Sequence, residues 1–354
     1  MKVQILKRNI IVLLGSLCVI AAAIACGSTT SDKTPTSKSA TTSASGTTTT
    51  SSGKKLKVVT TVSPLTNIVL NVGGDRIDLE GIIPDGVDSH TFEPSPANAV
   101  SLSKADIFIM NGAHLEGSSE KIAQENLEDA SKIYKLADNT YSSDDDQSGF
   151  LYDFSFPKEK GDPNPHLWMD PKNARHYADL VDQWFDENDP ANKSYYDGNL
   201  TAFHTSVDKL DAAIRTATTT VPADQRKLVT YHDSWAYWAR EYGWSVIGAI
   251  QPSDFKEPSA KEVADLIDQI KSEHVKAIFG SEVFPSPVTE QIARESGAKF
   301  VDSLRDDEPP GDVGSPEHTY IGMLVKDMRD MIPALGGDAS TMDAVPVENT
   351  YKKA

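Results

Sequence analysis

The stretch DPANKSYYDGNLTAFHTSVDKLDAAIRTATTTV, residues 189–221, decides the fold. Pro190 stands at its second position, and no other proline follows before Pro222. It reads as one helix from about Pro190 to Thr220, longer than the three or four turns of an ordinary helix, with only Gly198 weakening the pattern. On its N-terminal side the chain alternates. KLKVVTTV (55–62) reads as a strand, followed by a helix from SPLTNIVLNV. IDLEGIIP, DIFIMNG and KIYKLAD read as further strands, with SPANAVSLSKA and LEGSSEKIAQENLE as helices between them and PKNARHYADLVDQWFDEN as a helix after them. On its C-terminal side the alternation resumes. KLVTY, WSVIGAI, KAIFG and KFVDS are strands, and SWAYWAREY, SAKEVADLIDQIKSEH and PVTEQIARESG are helices, with a last helix from about Pro316 to Leu335. Strand–helix alternation predicts mostly parallel sheets flanked by helices. The expected class is therefore α/β, with one half at 55–188, the long linking helix at 189–221 and a second half at 222–354.

The first residues are of another kind. MKVQILKRNIIVLLGSLCVIAAAIAC has a basic start (Lys2, Lys7, Arg8) and an apolar run that is short for a membrane span. Residues 1–25 read as a signal peptide. The segment AIAC resembles the lipobox of bacterial lipoproteins, which implies that Cys26 is lipidated and becomes the first residue. Residues 26–54 are nearly all Ser, Thr, Ala, Gly and Lys and form no core, so they read as a flexible tether. The chain has only two cysteines, Cys18 in the signal and Cys26. The folded part thus has no thiolate metal site, no cysteine nucleophile and no disulfide. Loss of the signal takes the formal charge from −18 to −21. So acidic a body is not a nucleic-acid binder.

Open α/β sheets bind ligands beyond the carboxyl ends of their strands. His90, in GVDSHTFEPSP, follows the GIIP strand by a loop. His232 directly follows KLVTY, and Asp302 ends KFVD. His166 lies in DPNPHLWMDP (162–171), where Pro163, Pro165 and Pro171 stiffen the backbone around one imidazole. The four are separated by 76, 66 and 70 residues. Three imidazoles and a carboxylate suit Zn2+ or a similar divalent ion. Spacing alone does not join them, because no two are near in sequence. Asp88 and Glu93 beside His90, Trp168 and Asp170 beside His166, and Glu282 after KAIFG are candidate supports, while Asp233 reads as a helix cap. The other five histidines, His114, His176, His204, His274 and His318, read as surface, turn or helix-end residues.

The segments DSHTFEPSP, NPHLWMDP, TYHDSWAYWAREYG and FVDSL, with MNGAHLEG between the first two, resemble in order the ligand motifs of the metal-binding solute-binding proteins of bacterial ABC transporters, the cluster A-I or cluster 9 group. The resemblance covers about residues 55–335. It implies two α/β lobes bridged by one long rigid helix, with a metal held between them by His90, His166, His232 and Asp302. It implies capture outside the cytoplasm and delivery to a membrane permease driven by a cytoplasmic ATPase, by a monomer held to the membrane through lipid. Zn2+ is favoured over Mn2+ by the three imidazoles and by the Irving–Williams order. His232, where manganese-devoted relatives often carry Glu, points the same way. The loop 138–165 has no histidine, unlike that of many zinc-specific relatives, and points the other way. The rival reading is a metallohydrolase, but four protein ligands close the shell that a catalytic zinc keeps open. The expectation is a binding protein and not an enzyme.

Overall fold

The computed structural model describes residues 54–141, 149–251, 256–281 and 287–353. The signal, Cys26, most of the tether, the SSDDDQ run and Glu282 lie outside the described residues.

Two four-stranded sheets, all parallel, form the frame. The first has the order β2-β1-β3-β4, from β1 (Leu56–Thr60), β2 (Ile77–Gly81), β3 (Ile107–Met110) and β4 (Ile133–Lys135). The second repeats that order as β6-β5-β7-β8, from β5 (Lys227–Thr230), β6 (Ser245–Ala249), β7 (Ala277–Ser281) and β8 (Lys299–Leu304). β3 and β7 are buried along their whole length, as expected of strands covered on both faces. In each half the first strand is central, so the loops after neighbouring strands open at one edge.

The helices follow the alternation: α1 (Ser63–Gly73), α2 (Pro96–Leu102), α3 (Gly117–Asn126), α4 (Leu136–Thr140) and α5 (Pro171–Asn188) in the first half. α6 (Lys193–Thr220) is the long one, 28 residues or about 42 Å at 1.5 Å per residue. α7 (Ala236–Tyr242), α8 (Ala260–Ser272), α9 (Pro287–Ser296) and α10 (Tyr320–Ala334) belong to the second half. Starts are set by local chemistry. Ser95 and Ser259 cap α2 and α8 through reciprocal side-chain bonds with Asn98 and Glu262. Asp170 caps α5 by accepting from Lys172 N, with Pro171 at its first position.

α6 buries Phe203, Val207, Leu210 and Ile214 along one face. That face joins a core shared by both halves, with Ile68 of α1, Tyr177 of α5, Leu324 and Met328 of α10, and Phe279 of β7. A separate, smaller core under α8 and α9 contains Val229, Ile267, Ile270, Ile278 and Ile292. The halves are therefore cemented along α6 and α10. After α10 the chain returns to the first half. Asn349 Oδ1 accepts from Asn67 Nδ2 on α1, Thr350 N donates to Asn71 Oδ1, and Lys352 N donates to Asn199 Oδ1 on α6.

Two differences from the expected elements have plain causes. KIYKLAD is a strand for three residues only, then turns into α4 at Leu136. The last helix starts at Tyr320, not near Pro316, because Thr319 is its cap and accepts from Gly322 N.

A candidate metal centre between the sheets

His90 sits in the loop after β2, half-buried, and its backbone N–H donates to Asp88 Oδ1 at 2.8 Å. His232 sits two residues beyond β5 and is buried. His166 is fully buried in the stiff loop leading into α5. The three imidazoles meet. His90 Nε2 is 3.2 Å from His166 Nε2 and 3.2 Å from His232 Nε2, and the His166 and His232 ring centroids are 4.5 Å apart. Nitrogens bound at 2.0–2.1 Å to a tetrahedral zinc would be roughly 3.3 Å apart. The rings are thus already at the edge length of such a shell.

Each ring is turned by a fixed partner. His166 Nδ1 donates to Asn164 Oδ1 at 2.8 Å, and Asn164 is itself held by Asp153 Oδ2 and by the Asp233 carbonyl. His232 Nδ1 pairs with Asp306 Oδ2 at 2.7 Å, and Ser234 Oγ donates to the same oxygen. A proton on Nδ1 in both rings leaves the Nε2 lone pairs facing the common centre. Phe156 lies against the His90 and His166 rings and closes one side with carbon. A cavity of about 130 Å³, lined by His114, Lys160 and Asp162 among others, opens onto His90 from solvent.

Asp302 is not in this cluster. β8 does not stop there but runs on to Leu304, with a register break against β7 between Phe279 and Ser281, and Asp302 is left exposed on the strand. The loop therefore begins two residues later and delivers Asp306 and Asp307, both buried, to His232. Asp307 Oδ2 accepts from Ser89 Oγ at 2.7 Å, across to the loop of His90, while its Oδ1 is buried with no hydrogen-bond partner. Sequence reasoning passed over this pair although both lie in SLRDDEPPGD. Four acids within those ten residues offer no spacing rule that singles one out.

Charge is distributed unevenly. Burial, helped by His232, lowers His90 and His166 well below the ordinary imidazole range, so both are neutral and ready to ligate. Burial acts on His232 in the same sense, but Asp306, with Asp307 and Asp88 behind it, overrides burial and raises His232 to about 9. Burial and the neighbouring Asp306 raise Asp307 to about 7.

Of the candidate supports, Trp168 has the largest part. Its indole N–H donates to the Asp306 carbonyl at 2.8 Å while its ring lies edge-on to His166, so it ties the two loops together. Asp233 is no helix cap; it is buried and accepts from Ser155 N. Glu93 accepts from Ser118 and does not orient His90. His204 is not on the surface: it is largely buried and pairs with Asp179 at 3.1 Å. Like His114, His176, His274 and His318, it stands outside the cluster.

Residues 58–334 match the family described as zinc-uptake complex component A, periplasmic. The chain belongs to this family. Among relatives of this zinc-uptake-family chain, the iron-binding protein YfeA of Yersinia pestis is 29% identical over 77% of this chain and 83% of its own length. The manganese ABC transporter substrate-binding lipoprotein PsaA of Streptococcus anginosus is 27% identical over 83% and 90%. Among solved structures, the periplasmic zinc-binding protein TroA of Treponema pallidum superposes with a TM-score of 0.71, at 26% identity, over 80% of this chain and 99% of that one. The two-lobe architecture with a long helix is that of these zinc-uptake relatives.

Proposed function

We propose that the chain is the extracytoplasmic substrate-binding protein of a metal ABC transporter, capturing a divalent transition metal on His90, His166 and His232 and handing it to a permease. The convergence of the three imidazoles, with His90 Nε2 3.2 Å from both His166 Nε2 and His232 Nε2, carries this reading, since bare lone pairs so close repel unless a cation or proton lies between them. The fourth ligand on this reading is Asp307, which groups with His232 and Asp306 and whose Oδ1 is buried without a hydrogen-bond partner. Relatives are named for iron, manganese and zinc, so the metal is a separate matter. Zn2+ is favoured, because three imidazoles and one carboxylate suit its tetrahedral shell, and Mn2+ is next. Four protein ligands around one ion suit capture and release and leave no open position for catalysis.

Competition calorimetry on residues 54–354 is expected to rank Zn2+ above Mn2+. Deletion of the gene is expected to lower cellular zinc. A deletion strain that loses manganese and keeps its zinc would overturn the zinc assignment, whichever ion binds tighter in vitro.

The basic-apolar start and AIAC support anchoring through lipid on Cys26, with the tether holding the body off the membrane. Cys26→Ala is expected to move the protein to the soluble fraction or leave its signal uncleaved. Labelled palmitate still entering that variant would refute lipidation at Cys26.

A further inference from the structure

α5 and α6 form a helical hairpin joined by the turn Pro190–Asn192. Asp182 and Asp186 are one turn apart on α5, and Asp197 faces them from the N-terminal end of α6. Carboxylate oxygens of the three lie within 4.8 Å of one another. Lys193 Nζ bridges Asp186 and Asp197, at 2.9 Å from the latter. One ammonium among three carboxylates leaves the group short of positive charge, and the shortfall falls on Asp182. That side chain is only 8% exposed, and its Oδ1 is buried with no hydrogen-bond partner. Asp186 Oδ1 is buried without a partner as well. An unpartnered buried carboxylate oxygen is costly, and natural folds keep few of them. Burial first, then Asp186 and Asp197, raise Asp182 to about 6.

We propose that Asp182, Asp186 and Asp197 form a second cation site, for a hard, oxygen-preferring divalent ion of the Ca2+ class. The donors are all carboxylate oxygens, which such ions take with water completing the shell, and no imidazole is present to draw a transition metal. Asp182 lies eleven residues along α5 from Pro171, roughly 16 Å from the helix end that follows His166. The site is therefore independent of the imidazole cluster. The ion takes over the bridging position of the Lys193 ammonium and supplies the partner that Asp182 Oδ1 lacks. In doing so it clamps the hairpin against which the first half is built. Three carboxylates at a partly exposed site correspond to the weak affinities, about 10⁻⁴–10⁻³ M, of modules that meet calcium outside the cell.

The test uses calcium alone as probe, on the chain from Lys54 carrying His166→Ala so that no signal arises from the imidazoles. Ca2+ at 10 mM is expected to raise the melting temperature by about 2–5 °C over NaCl of equal ionic strength. Asp182→Asn is expected to remove most of that shift. Lys193→Met, which takes away the competing ammonium, is expected to enlarge it and to lower the half-saturating calcium concentration about tenfold. No calcium-specific shift in either the parent or Lys193→Met would overturn the site and leave a plain salt-bridge staple. An equal shift in the parent and Asp182→Asn would overturn it too, as general binding to an acidic surface.

Discussion

Replacing His166 by alanine is expected to abolish the thermal response of the chain to zinc. In the wild type, Zn2+ at about 1,000 times its Kd adds about 4 kcal/mol to stability, a rise on the order of 10 °C for a body of this size. His166 is the ring held most firmly, buried in a proline-stiffened loop, with Asn164 fixing its tautomer. Loss of a directly bound imidazole costs more than the 10–100-fold typical of an orienting partner. A thousandfold loss leaves the same zinc concentration near the new Kd and the gain below about 0.5 kcal/mol. His90→Ala and His232→Ala are expected to behave alike. Asp307→Ala should cut the shift sharply and Asp302→Ala should leave it whole. The reverse pattern for the two aspartates would return the fourth ligand to Asp302 and remove Asp307 from the site.

Metal binding is also expected to release protons in a stepwise pattern with pH. Asp306 holds His232 up at about 9, so the metal-free protein carries that proton at neutral pH, and the ion must expel it. Between about pH 7 and 9 one proton leaves per metal bound, and the apparent affinity rises about tenfold per pH unit. Below about 7 Asp307 is protonated as well, a second proton leaves, and the slope steepens. Above about 9 affinity levels off. The metal-free protein behaves oppositely. A histidine whose folded pKa is raised contributes stability that is complete below its unfolded value of about 6.5 and is lost as pH rises through about 9. Calorimetry in buffers of different ionisation enthalpy counts the protons. Asp306→Asn, by removing the anion at Nδ1, is expected to reduce proton release at pH 8 and weaken affinity 10–100-fold. Unchanged proton release in that variant would show that Asp306 does not hold the charge on His232.

Most of this architecture was legible in the sequence because parallel α/β units announce themselves. KLVTY and KAIFG are short β-branched or apolar runs ahead of clear helical stretches, and they became β5 and β7. Strand ends and a proline-rich loop singled out the three histidines, but only the resemblance of their motifs joined them into one group. The acidic pair beside His232 was not legible: β8 runs on to Leu304, past a one-residue register shift against β7 that composition does not record. His204 was misjudged as surface because its neighbours on α6 are polar, while its partner, Asp179, comes from α5. Asp306 acts through a ring 74 residues away in sequence, a relation visible only once both loops are placed.

The return of the C-terminal residues to α1 has a consequence in time. Asn67 and Asn71, in the first helix, take their partners from Asn349 and Thr350, at the other end of the chain. No shorter, partly synthesised chain can make those bonds, and contacts so distant in sequence form late because their loops are costly to close. α10, which fills the core beside α6, also emerges last. The N-terminal half therefore completes its packing only once residues near 350 have folded back onto it.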